Sequence, residues 1–528
     1  MSASQATAIA AETPQEIVAP KPRLALVKPK KKKVIKPKAL TKKDELVKLA
    51  TCAELFCEPD GKTDRAFATV PVAEHLETYC MNSGEFRLWM TNEYYKRHGE
   101  VVSAQPMQDA LNTLKAQAYF SGVKHRIFNR IGELNGKFYY DLGDAMWRVV
   151  EIDSNGWRIL DNSPVKFVRS ASYKSQVTPV KGGSIDELRP FINVSSEEDW
   201  ILFAGWLIQS FRPTGPYHVL GLAGTQDAAK STTTKLVRGV VDPSTVPVRS
   251  APKEERDLMV GAKNNWLLAF DNLSYITESL SDAFCRLSTG GGQANRELYK
   301  NADEFVFDAM RPVVMNGIEE LATRPDLADR TLSIFLPSIK DDERKDEKTL
   351  YTEYEAVLPR VLGAIFDALS VAIRNLPNTH IEKLPRMADA AKFVTAAEEA
   401  LGWETGTFLQ TCEVYRRTAK INGLEASNVG TAILMLMEAL PLWEGPASEL
   451  LQRLHELLPE SISRKKFPSS ARSMSSQLRR IQPNLKEAGI EVEMPEGVRR
   501  LPNGEVARLI TITNTRFSES KWDDTVPF

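Results

Sequence analysis

Cysteine is scarce in this chain. Its five residues, Cys52, Cys57, Cys80, Cys285 and Cys412, are scattered over 528 positions. An odd count without paired spacing gives neither a disulfide framework nor a zinc-ligand pattern, so reduced thiols are expected. Long apolar runs are missing as well. No stretch reads as the roughly 20 apolar residues of a membrane helix, and nothing near Met1 has signal-peptide shape. A cytoplasmic protein without a membrane partner is therefore expected. No internal repeat stands out. Also missing is the strand of alternating carboxylates, with a supporting His, that a primase domain would need. What remains, 42% hydrophobic and 26% charged residues, suits an ordinary globular protein of two to four domains.

Acidic residues are absent from 21–43, where eleven Lys or Arg stand, and residues 1–20 hold only Glu12 and Glu16. The net charge of −1 thus hides about −10 over residues 44–528. Such a Lys/Pro-rich start cannot bury a core and is expected to be disordered. It either solvates or touches nucleic acid non-specifically through Lys30 to Lys33.

The strongest motif begins at Tyr217. An apolar run leads into Gly224-Thr225-Gln226-Asp227-Ala228-Ala229-Lys230-Ser231-Thr232, and a helix-compatible segment follows. This is the phosphate cradle GxxxxGK[ST] with Ala229 in place of its second glycine. Loop N–H groups and a helix N-terminus would face phosphate, Lys230 would reach the β- and γ-phosphates, and the Ser231 hydroxyl would meet Mg2+. ATP is the expected ligand. About 40 residues on, Trp266 to Asp271 reads as an apolar strand ending in a second magnesium ligand. Val313 to Asn316 is a third such strand, ending in an amide, and Thr331 to Leu336 is a fourth. Arg324 and Arg330 lie just before the last, where an arginine reaching a neighbouring subunit's nucleotide is expected.

The text AGTQDAAKSTTTK, APKEERDLMVGAKNNWLLAFDNLS, CRLSTGGGQANRELY and RPVVMNGIEELATRPDLADRTL, spanning about Phe191 to Ile339, resembles the ATPase domain of phage- and mobile-element-encoded helicase-like proteins. These are related to superfamily-three and poxvirus-type primase-helicases. The resemblance implies an α/β fold: an AAA+/superfamily-three-like P-loop ATPase core. It implies that Asn316 positions the attacking water, and that Arg296 and Lys300 sit on a pore hairpin facing DNA. A flexible loop ordered by nucleotide is the alternative there. Asn272 stands where most of these helicases carry Asp or Glu. An amide accepts no proton, so Asn272 could only orient water, and Glu297 or Glu319 would have to serve as base.

Around this core, residues 44–180 read as an α+β domain. Val70 to Tyr79 and Glu85 to Gly99 read as helical or mixed, and Met107 to Phe120 as a helix. Strands are expected over Val123–Ile131, Lys137–Asp141, Trp147–Ile152 and Gly156–Leu160, with turns at Asn135-Gly136 and Asn155-Gly156. Asp141 and Asp144 read as turn chemistry in preference to a metal-binding pair. Phe191 to Ser210 is expected to be a helix. Past the core, 341–437 is a helical region, and 438–515 reads as helix, helix and β-hairpin, a winged helix. There Trp443 to Leu458 is the first helix and Ser469 to Ala488 the second, bent or shortened at Pro483. Arg472, Gln477, Arg479 and Arg480 suit phosphate and base-edge contact, and Arg499, Arg500 and Arg508 a wing on the backbone. Protein–protein docking is the alternative for that module.

The division is thus 1–43 disordered basic tail, 44–180 N-terminal domain, 181–340 ATPase, 341–437 helical, 438–515 winged helix and 516–528 tail. An ATP-dependent, DNA-binding motor of helicase type, working as a homo-oligomeric ring on single-stranded or forked DNA during replication of a phage or mobile element, is the leading expectation. The alternative is a nucleotide-gated DNA-binding or defence-sensing switch that hydrolyses little. A metabolic kinase ranks third, since no small-substrate site is visible.

Overall fold

The computed structural model describes residues 40–59, 65–120, 122–290, 293–296, 304–307, 310–318, 320–425, 427–457, 467–494, 497–500 and 506–516. The basic tail before residue 40, with Lys30 to Lys33, lies outside them, and so does the tail from 517.

The first layer holds α1 (Lys42–Leu49), β1 (Glu54–Cys57), β2 (Ala66–Val72), β3 (His75–Cys80), α2 (Gly84–His98), α3 (Ala104–Phe120) and β4 (Val123–Lys124). Its sheet runs β3-β2-β1-β4, and Phe86, Met90, Leu111 and Leu114 of the helices close a core of its own against it. Val70 to Tyr79 is a hairpin here, not helical. Val72 pairs with His75 around a turn whose Ala73 has φ +50°, and Thr69, Val70 and Thr78 are β-branched and buried. Helix α2 is where expected, with Ser83 accepting from the Phe86 N–H and Gly99 ending it in the left-handed conformation.

The strands β5 (Ile127–Phe128), β6 (Ile131–Leu134), β7 (Lys137–Asp141), β8 (Val149–Asp153), β9 (Gly156–Leu160) and β10 (Lys166–Phe167) follow. Asn135 and Gly136 both take positive φ, +52° and +76°, the type I′ geometry that an Asn-Gly pair adopts readily. Asp141 and Asp144 do turn and packing work. Asp141 accepts from the Gly143 N–H at 2.9 Å and from Arg169 at 2.7 Å, and Asp144 accepts from the Arg148 N–H at 3.0 Å.

The inner face of this meander does not close on itself. Ile131, Tyr140, Val150, Ile152 and Trp157 share one continuous core with Trp200 and Trp206 of α4 (Glu197–Ser210) and with Phe211, which caps it. Arg130 fastens the junction. Fully buried, it donates to Asp242 at 3.0 Å and to the carbonyls of Asp141, Lys174 and Pro243, and it lies 3.6 Å over the Tyr173 ring. Breaking such a buried pair from one side costs about 3–5 kcal/mol.

Next come β11 (Val219–Gly224), α5 (Lys230–Val241), α6 (Glu255–Asn264), β12 (Leu268–Leu273), α7 (Glu278–Thr289), β13 (Gln293–Arg296), β14 (Glu304–Phe307), β15 (Val313–Gly317), α8 (Pro325–Ala328) and β16 (Thr331–Leu336). The four expected apolar strands form one parallel sheet, β12-β15-β11-β16. At its β12 edge Arg249 adds a short parallel rung, giving its N–H to Ala269 and taking that of Asp271. Antiparallel β13 and β14 make a hairpin stem pairing Arg296 with Glu304.

Helices α9 (Glu347–Asn375), α10 (Ala388–Leu401) and α11 (Thr407–Glu425) cover the core. The segment Glu347–Asn378 is long and apolar enough to cross a membrane, which the sequence reading did not anticipate. Its apolar face, with Val361, Leu362, Ile365, Phe366 and Leu369, lies in the shared core, so burial among α4, α10 and the β-meander accounts for its composition.

The last unit holds α12 (Asn428–Ala439), β17 (Leu442–Pro446), α13 (Ala447–Leu457), α14 (Ala471–Glu487), β18 (Ile490–Glu493), β19 (Arg499–Arg500), β20 (Val506–Ala507) and β21 (Leu509–Asn514) around a separate core. Trp443 to Pro446 is a strand paired with β21, so the helix begins only at Ala447. Gly445 and Pro446 are poor helix-interior residues, and the ladder takes them instead. Helix α14 runs on through exposed Pro483 to Glu487.

Candidate functional site

The loop from Gly224 to Lys230 sits at the C-terminal end of the central strand β11 and starts α5. Its backbone is unusual. Gly224 has φ +155°, and a Cβ there would lie 2.4 Å from the Leu336 carbonyl oxygen. Asp227 and Ala229 both take left-handed conformations, at φ +65° and +56°. For alanine this costs about 1–2 kcal/mol, so the loop is held from outside. Asn193 donates to the Ala228 and Pro337 carbonyls at 3.2 and 2.6 Å, and the Thr225 and Ser338 hydroxyls meet at 2.6 Å. Arg344 lies 3.6 Å from Asp227. Thr225, Gln226 and Asp227 are exposed, Ala228 is buried, and Ser231 and Thr232 are half-buried.

Lys230 curls back, its ammonium donating to the Gly224 carbonyl at 2.8 Å and to that of Thr225. Beside it, three side chains from three elements converge. The Asp271 carboxylate accepts from Ser231 Oγ at 2.7 Å and from the Asn316 amide at 2.8 Å. The same amide donates to Thr234 Oγ1 at 2.7 Å, and Asn316 Oδ1 accepts the Asn272 N–H at 2.8 Å. Asn316 is buried and so serves as a fixed bracket between β12, β15 and α5. The pair of Ser231 Oγ and Asp271 Oδ1 is the hard-oxygen set that magnesium takes beside phosphate oxygens.

Asn272 has φ +55° with its side chain exposed. Asparagine enters the left-handed region more easily than most residues, so the bend after Asp271 gives this position a backbone reason for Asn. Glu297 and Glu319, the expected bases, lie outside the described residues, and so does Lys300. Arg296 pairs with Glu304 on the hairpin stem.

The arginines are elsewhere. The β11–β16 register sets Val219 against Thr331 and Gly224 against Leu336. Arg330 therefore stands at the far end of the sheet from the loop, about 20 Å away at roughly 3.3 Å per residue. Its guanidinium donates to the Asp326 carbonyl at 2.6 Å, its side chain is 16% exposed, and its Nε is buried without a partner. Arg324 lies 3.3 Å from Asp282 and donates to the Glu278 carbonyl. Neither reaches the loop of its own chain.

On α14, Arg472, Arg479 and Arg480 are exposed and bonded to nothing else described, and Lys486 is exposed too. At about 100° per residue all four fall on one face. Gln477 is half-buried at its margin. Arg499 lies 3.7 Å from Glu444, while Arg500 and Arg508 are exposed.

Asn193, Thr234 and Arg130 were not singled out by the sequence reading. Among the described residues no group of three or more His, Cys, Asp or Glu could hold a metal.

Known proteins supply a family. No curated protein matches the chain. Among solved structures, one titled as the SCCmec type IV Cch active helicase aligns at 12% identity and TM-score 0.46, over 87% of this chain and 92% of the other. The apo C-terminal region of NrS-1 aligns at 11% identity and TM-score 0.40, over 88% and 98%. Residues 185–420 match the family model described as actinomycete integrative conjugative element replication protein, and 429–521 match the AICE RepA C-terminal domain. By these two stretches, which together take more than half of its length, the chain belongs to the replication proteins of actinomycete integrative conjugative elements.

Proposed function

We propose that the chain is an ATP-dependent, DNA-binding motor of helicase type that serves replication of its element in the cytoplasm. The observation that carries this reading is the convergence of Ser231, Asp271 and Asn316 beside Lys230 at the end of the parallel sheet. The sheet order, with the loop-bearing strand between β15 and β16, supports an AAA+/superfamily-three-like core. ATP with Mg2+, when bound, supplies the phosphoanhydride whose hydrolysis drives the motor.

The residues would divide the work as follows. Gly224 to Thr232 wrap the phosphates, with Lys230 leaving its loop carbonyls for phosphate oxygens of higher charge. Ser231 and Asp271 hold the metal. Asn316 and Asn272 orient water against the γ-phosphate. Arg330, which the register keeps from its own loop, and secondarily Arg324, would act on the nucleotide of a neighbouring copy. That requires a head-to-tail homo-oligomer, a closed ring. Arg296 and Lys300 would line its channel, and the α14 face with Arg472, Arg479 and Arg480, flanked by Gln477, would bind DNA as part of a winged helix. The working division remains 44–180, 181–340, 341–437 and 438–515, with a basic tail ahead.

A second reading, a nucleotide-gated DNA-binding switch that turns over little, is favoured by one observation: the residue after Asp271 is Asn272, which accepts no proton. Steady-state turnover tests the choice. The full chain with DNA should hydrolyse ATP, and Lys230→Ala should reduce this at least a hundredfold while keeping the fold. Undiminished turnover in Lys230→Ala would remove the loop from the mechanism.

A further inference from the structure

Away from the phosphate loop, the start of β11 opens on a cleft between the β16 end of the sheet, α11 and the C-terminal end of α14. It has two chambers, of about 390 and about 690 Å³, and His218 lines both. His218 is 5% exposed, and its hydrogen bonds fix its chemistry. Gln209 Oε1 accepts the His218 backbone N–H at 2.9 Å, which settles which end of that amide faces the ring. The same oxygen lies 3.0 Å from Nδ1, so Nδ1 carries the proton. Burial beside Arg416 pulls the imidazole down to about 3, and the ring is neutral. Nε2 is therefore a bare lone pair with no partner among the described residues, on a ring that lines both chambers.

The charges on the walls balance, Glu320, Asp329, Glu413 and Glu487 against Lys383, Lys420, Arg416 and Arg417, but they are unevenly paired. Glu413 lies 3.9 Å from Lys383, Glu487 lies 2.9 Å from Lys420, and Asp329 lies 3.0 Å from Arg386. Glu320 accepts from Ser333 at 3.2 Å. Among the described residues Arg416 and Arg417 make no hydrogen bond and no close ion pair, although Arg417 helps hold the Glu487 carboxyl below the usual range. Burial pushes the Cys412 thiol up to about 12, so no thiolate offsets them. Leu384, Pro385, Leu409 and Val414 make the larger chamber half apolar.

We infer that this cleft is a second ligand site, taking a nucleotide unit whose base donates an N–H to His218 Nε2 while its phosphate meets Arg416 and Arg417. The size admits a mononucleotide, the apolar wall suits a flat base, and the guanidinium pair suits a phosphate. The unit comes either as a free nucleotide or as the 5′-phosphorylated end of a DNA strand. The site does not depend on the proposed motor function, although an occupant would touch the segment that carries Arg330.

The test uses the full chain carrying Lys230→Ala, so that the phosphate loop contributes little, titrated with dCMP by calorimetry. Binding should be saturable, and at least tenfold weaker for deoxyribose 5-phosphate, which lacks the base, and for inorganic phosphate. Arg416→Gln, at a half-exposed residue without a hydrogen bond among the described residues, should weaken dCMP at least tenfold, and His218→Phe should do the same if it folds. Competition by a 5′-phosphorylated trinucleotide but not by its 5′-hydroxyl form assigns the site to strand ends. Competition by neither assigns it to free nucleotide. No dCMP binding, equal binding of dCMP and phosphate, or indifference to Arg416→Gln overturns the inference. None of these outcomes touches ATP turnover by the parent chain, so the two readings fail separately.

Discussion

Arg330→Ala separates a structural arginine from one that works on a neighbour's nucleotide. Within its own chain Arg330 holds little. It donates to the Asp326 carbonyl and stands 3.8 Å from the Asp326 carboxylate, which Arg386 already contacts at 3.0 Å. Losing that share of a surface pair costs about 0–1 kcal/mol, and the orphaned Nε is removed with it. Acting across a subunit boundary, an arginine on a γ-phosphate is worth about 10³–10⁵ in rate, or about 4–7 kcal/mol of barrier. The two readings therefore differ by several kcal/mol in turnover while agreeing on stability. Purified Arg330→Ala should unfold within about 1 kcal/mol of the parent, bind ATP nearly normally and hydrolyse almost none. Mixed with Lys230→Ala subunits it should regain activity, since each defect spares what the other lacks. Normal hydrolysis by the variant, or no recovery in a mixture that forms oligomers, would refute the role in trans.

Two further outcomes follow from the geometry. Ala229→Gly relieves a left-handed alanine at φ +56°, offset by a looser unfolded chain, so denaturant unfolding should show a gain of up to about 1 kcal/mol; a loss of that size would mean the methyl packs usefully. His218 titrates at about 3 in the folded protein, below its unfolded value near 6.5, so the unfolded state binds the extra proton and stability falls as pH drops below 6.5. Between pH 6 and 5 this removes about 1.2 kcal/mol, a loss that should be absent from His218→Asn; parallel pH profiles for parent and variant would contradict it.

Local signals were legible in the chain. Asn135-Gly136 announced its turn, Lys137–Asp141 and Gly156–Leu160 their strands, and Thr331–Leu336 the edge of the parallel sheet. Lys230, Ser231, Asp271 and Asn316 could be picked out because each ends a short apolar run or follows a small-residue loop. The supports could not. Asn193 reaches Pro337 across 144 positions and Arg130 reaches Asp242 across 112, and no pattern in either stretch encodes the other. Val70 to Tyr79 misled because a fully buried strand such as Ala66–Val70 lacks the alternation that betrays half-buried ones. Asn272 is the reverse case: its departure was plain in the sequence, and its backbone reason needed the φ of +55°.

Strand displacement on a forked duplex, by the full chain with ATP and Mg2+, tests the central claim most directly. The account predicts ATP-dependent displacement that Lys230→Ala abolishes and that Arg472, Arg479 and Arg480 changed together weaken through DNA affinity. DNA binding by the well-folded parent chain, without turnover or displacement under any nucleotide, would contradict it.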